Sequence, residues 1–110
     1  MSKVDVNDLV SILKFLDESF LREEQFSEIC DLNANDVDDQ RKIVQRVLVP
    51  GFNEMNYQTQ EHLLNSVREI IDKRMDCSSV FERVNAPFDF FNINHLAFVE
   101  VIYDEICRNT

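Results

Sequence analysis

The stretch Asp31-Leu32-Asn33-Ala34-Asn35-Asp36 puts oxygen-bearing side chains at alternate positions, as the first half of a calcium-binding loop does. Its second half does not follow. Asp36 stands where the sharp turn needs glycine, Asp38 where an apolar residue belongs, and Lys42 where a bidentate carboxylate must close the cage. A polar turn between two helices is expected there, not a calcium site. Two histidines occur, His62 and His95. Glu61-His62 has no second histidine four residues on, so the helical zinc arrangement is missing. Each histidine falls in the first turns of a helix and reads as an exposed polar residue.

Cys30, Cys77 and Cys107 are odd in number, far apart and form no CxxC pair, which reads as buried thiols in a reducing cytoplasm. One glycine in 110 residues cannot build a phosphate-cradling loop or a nucleophile elbow. Carboxylates are plentiful, but acid–base catalysis needs two in a cleft with pKa values pushed apart. No enzyme, metal or cofactor is expected.

Charge is the distinctive feature. The formal net charge is −10, and residues 17–39 carry nine acids against Arg22 alone, a net of −8. Like charges three or four positions apart on a helix destabilise it by a few tenths of a kcal/mol per pair. Glu24 with Glu28, and Glu28 with Asp31, are such pairs. Concentrated negative charge speeds encounter with a basic surface and repels nucleic acid and anionic membrane. The expected function is therefore that of a small acidic binding protein for a basic partner. In concrete terms, this is an immunity protein or antitoxin occluding the active or substrate-binding surface of a toxin or nuclease. The contact residues expected are Glu23, Glu24, Glu28, Asp31, Asp36, Asp38 and Asp39, pairing with Arg and Lys. The alternative is a helical adaptor, or self-associating regulator, using an apolar surface around Phe52, Tyr57 and Phe88 to Phe91. A monomer or weak homodimer is expected in either case.

Scarce glycine and proline, and no period-two alternation, predict an all-α chain. Residues 1–110 are expected to form a single-domain bundle of four longer helices plus one or two short ones. A helix capped by Asp5 or Asn7 should run to about Leu21, with Val6, Leu9, Val10, Leu13, Leu16 and Phe20 on one face. A short helix over Glu23 to Asp31 turns Phe26, Ile29 and Cys30 inward and breaks at Asn33-Ala34-Asn35. Asn35 should cap the third helix, with Val37, Val44, Val47 and Leu48 inside and Pro50-Gly51 as its stop. After a loop from Phe52 to Asn56, Asn56 or Thr59 caps the strongest amphipathic segment, with Leu63, Leu64, Val67, Ile70 and Ile71 inward. Ser78 or Ser79 opens a short helix ending by Pro87. Asn92 caps a last, central helix through Ile93, Leu96, Val99, Ile102, Tyr103 and Ile106. No apolar run reaches the roughly 20 residues of a membrane span, and MSKVDVNDLV does not read as a signal peptide.

Overall fold

A computed structural model describes residues 6–86 and 94–108. It is a compact all-α bundle, and among the described residues there is no strand. The chain opens with a 3-10 turn (Val6–Leu9), a single α turn (α1, Val10–Leu13) and a second 3-10 turn (Lys14–Leu16). Then come α2 (Glu23–Ile29), α3 (Val37–Ile43), a π turn (Val44–Leu48), α4 (Val49–Asn53), α5 (Tyr57–Asp72), α6 (Ser78–Glu82) and α7 (His95–Arg108). α5 packs on the opening 3-10 turn and on α7, and α7 also packs on α3 and the π turn. One core joins them, and Phe52, Phe81 and Phe98 are its largest fully buried side chains.

The first helix stops short of Leu21 because Asp17 takes the backbone out. Its Oδ1 accepts from the Ser19 N–H at 3.0 Å and the Ser19 hydroxyl at 2.7 Å, and its Oδ2 accepts from the Asn85 N–H at 3.0 Å. A short carboxylate bonding nearby backbone N–H groups competes with the helix and wins here. Phe20 is consequently not on an inner face: it is 56% exposed.

α3 is capped by Asp36, not Asn35. The Asp36 Oδ1 accepts from the Asp38 N–H at 2.9 Å, while Asn33 Oδ1 uses the Asn35 N–H within the turn. Nor does Pro50-Gly51 stop the third helix. α3, the π turn and α4 follow without a break, and the intervening caps keep right-handed helical dihedrals. A proline inside an α-helix clashes with the carbonyl four residues back. The wider π turn just before Pro50 re-spaces those carbonyls and spares the clash. Gly51 is required for a different reason: a Cβ there would lie 2.7 Å from two atoms of the Phe15 ring. Phe52, expected in a loop, is thereby carried into the core at 0% exposure.

The later helices follow the sequence reading more closely. Asn56 caps α5, its Oδ1 accepting from the Thr59 N–H at 2.8 Å. α6 begins at Ser78 with Val80 and Phe81 buried. α7 is capped by Asn94, whose Oδ1 accepts from the Ala97 N–H at 3.1 Å. Asp5, Asn92, Ile93 and the aromatic stretch 88–91 lie outside the described residues.

Candidate functional site

The acidic stretch occupies the end of the opening helical segment, α2, the turn after it and the first turn of α3. Glu23, Glu24, Glu28, Asp31, Asp36 and Asp38 are exposed, and Asp39 is half-buried. They are not equivalent. Asp36 caps α3, and Asp39 Oδ2 accepts from the Asn33 N–H at 2.9 Å, closing the turn. Asp17 and Glu18 bind Asn85 across the fold: the Glu18 backbone N–H donates to the Asn85 carbonyl at 2.9 Å, and the Glu18 carboxylate accepts from the Asn85 Nδ2 at 3.4 Å. Hydrogen bonds from Ser19, then from Asn85, hold the Asp17 carboxyl below its ordinary pKa. Those four acids are accounted for by folding.

The helix dipole divides the remainder. Glu23 and Glu24 sit in the first turn of α2, and Asp38 in the first turn of α3, where negative charge is favourable. Glu28 and Asp31 flank the opposite, electronegative end of α2, where it is not. Arg46 answers part of this cost: its Nη1 donates to the Glu28 carbonyl at 3.3 Å, and its Nε lies 4.0 Å from the Glu28 carboxylate. Asp31 has no charged or hydrogen-bonding partner among the described residues.

Two other polar clusters were not foreseen. Arg41 Nη1 donates to Asp104 Oδ2 at 2.9 Å and to Glu105 Oε1 at 2.7 Å, while Gln45 Nε2 donates to Glu105 Oε2 at 2.9 Å. Glu105 is only 3% exposed. Bonds from Gln45, and then from Arg41, hold its carboxyl below the usual range despite burial. A signal existed: Glu105 interrupts the apolar stripe between Ile102 and Ile106. The network ties α7 to α3 and to the π turn. In the second cluster the Ser66 hydroxyl donates to Asp8 Oδ2 at 2.7 Å, and His62 Nε2 lies 3.4 Å from the same oxygen. A Ser–His–carboxylate triad places the histidine between the serine and the carboxylate. Here the carboxylate holds the serine directly, and Ser66 is buried.

Cys77 is buried and its thiol pKa is pushed up by desolvation, so it is a poor nucleophile. Cys30 is half-buried and Cys107 exposed, against the expectation of three buried thiols. His95 is half-buried rather than exposed, its ring 4.6 Å from that of Phe81. Among the described residues no cluster of histidine, cysteine and carboxylate is disposed to hold a metal ion. No described helix is long and apolar enough to cross a membrane. Of the aromatic alternative, Phe52 is removed by complete burial, Tyr57 is 76% exposed, and 88–91 lie outside the described residues.

The chain matches no family model, no curated protein and no solved structure.

Proposed function

We propose that this chain is a binding protein that acts in the cytoplasm by engaging a basic protein through the carboxylates of α2 and the following turn. The kind of activity the chemistry suits best is that of an immunity protein or antitoxin. By covering a cationic surface, such as the phosphate-binding face of a nuclease toxin, it takes the place of the anionic substrate. One observation carries the reading. Glu28 and Asp31 are exposed and lie at the helix end where negative charge is unfavourable; Arg46 offsets part of that cost for Glu28, but no described residue does so for Asp31, so folding gives no reason for Asp31. A cationic partner supplies that reason, and it turns Glu23, Glu24 and Asp38 from dipole-matched surface acids into flanking contacts. Asp36 and Asp39 are shared with the α3 cap and the turn, so they contribute field more than free ligands.

The test is affinity capture from native lysate with two baits, the wild-type chain and a Glu24→Lys/Glu28→Lys/Asp31→Lys variant. Wild type is expected to retain a basic protein, with association slowed by up to about a hundredfold in the variant and by added salt. Addition of wild type is expected to inhibit the captured protein's activity. If both baits retain the same proteins equally, the docking surface is elsewhere.

A further inference from the structure

Large apolar side chains at the surface are distributed unevenly. Phe20 (56% exposed), Phe26 (40%), Val37 (55%) and Tyr57 (76%) are the prominent ones among the described residues. The first three fall inside the 17–39 segment that carries the net charge of −8. A segment kept acidic only for solubility has no use for two exposed phenylalanines. Phe20 also borders an open cleft of about 170 Å³ between the end of the opening helical segment, the start of α2 and α4. Phe15, Phe20, Val47, Pro50 and Gly51 provide its apolar lining, and the missing Cβ of Gly51 lets the Phe15 ring lie against that helix. Arg22, Gln25 and Glu54 complete it. Gln25 is held in place by accepting from the Arg22 N–H at 3.2 Å. The Arg22–Glu54 pair is loose, at 4.0 Å with both side chains exposed.

Resting on the docking role proposed above, we infer that this cleft receives one apolar side chain of the basic partner, set within a cationic segment whose Arg and Lys residues meet Glu23, Glu24 and Glu28. The size fits, since a closed cavity of about 150 Å³ holds a benzene ring. Charge decides what enters. Lys14 Nζ already lies 5.8 Å from the centre of the Phe20 ring and 5.4 Å from that of Phe15, and Arg22 lines the cleft. Glu54 offsets the charge of Arg22 across the cleft, and Lys14 is already near both rings, so the lining favours a neutral anchor over a further cation and leaves the partner's cations to the acids of α2. The same charge argues against two other occupants. A second copy would bring two segments of −8 together, and an anionic bilayer would be repelled. An apolar anchor surrounded by charged pairs is also how binding energy is commonly concentrated at interfaces.

Two synthetic peptides of identical Lys and Arg content test this, one with a central Phe and one with Ser at that position. Both are titrated into the full chain by calorimetry at low and high salt. The Phe peptide is expected to bind about tenfold more tightly, the gain from burying one ring. That ratio should persist in salt while both affinities fall. Phe20→Ser is expected to bring the ratio close to one without changing helicity, since Phe20 is exposed, and Phe20→Leu to restore most of it. Equal binding of the two peptides to wild type would overturn the anchor and leave the acidic docking surface standing. Binding of neither at low salt would bring down both. Sedimentation showing a dimer that Phe20→Ser dissolves would assign the cleft to a second copy and overturn the inference.

Discussion

Arg74 is the one described residue other than glycine with a positive φ, at 50°. It ends α5 in a left-handed cap: the Met75 N–H bonds the Ile70 carbonyl at 3.1 Å and the Arg74 N–H the Ile71 carbonyl at 3.2 Å. Glycine is the usual residue there, because a Cβ in that conformation costs about 1–2 kcal/mol. Part of that cost returns through the greater freedom of glycine in the unfolded chain. Arg74→Gly is therefore expected to stabilise by about 0.5–1 kcal/mol, a rise of a few degrees in Tm by calorimetry. Arg74→Ala should show no such gain, since it keeps the Cβ. A loss on introducing glycine would mean that the arginine side chain contributes more than its backbone costs.

At the scale of elements, Asp17 acts as a joint. It ends the opening helical segment and binds Asn85, 68 positions away in the chain. Hydrogen bonds to its ionised form lower its pKa in the folded state. A carboxyl with a depressed folded pKa contributes stability above its unfolded value, near 3.9, and loses it as pH falls through that value toward the folded one. The Tm advantage of wild type over Asp17→Ala is thus expected to be full above about pH 5 and to shrink steadily below pH 4. An advantage that stays constant into acid would mean that packing, not the charged hydrogen bonds, makes the joint. This contact also shows where sequence reading stops. Local signals were sufficient for α5, whose apolar spacing and Asn56 cap both lie within a few residues, and for the all-α class. They placed Phe20 inside and Phe52 in a loop, because the Asn85 bond that fixes the Asp17 turn and the Phe15 ring that only Gly51 admits come from distant parts of the chain. The acidic segment was legible as composition. Which of its acids the fold consumes was not, since the Asp36 cap and the Asp39–Asn33 bond appear only once the turn is built.

For the whole molecule, charge and stability pull in opposite directions. Most of the net −10 lies in one fifth of the chain. Within it Asp31 is the clearest case of cost without local return, lying beyond the electronegative end of α2 and three residues from Glu28. Asp31→Asn keeps the side chain's shape and removes both penalties. It is expected to raise stability at low salt by a few tenths of a kcal/mol, read as a small increase in Tm. The gain should fade as salt screens surface charge. The same substitution is expected to slow association with a cationic partner, and salt should diminish that difference too. Both effects seen together, and both fading in salt, would assign Asp31 to the proposed docking surface. If Asp31→Asn lowers stability instead, Asp31 serves the fold as Asp36 and Asp39 do, and the docking surface contracts to the outer face of α2.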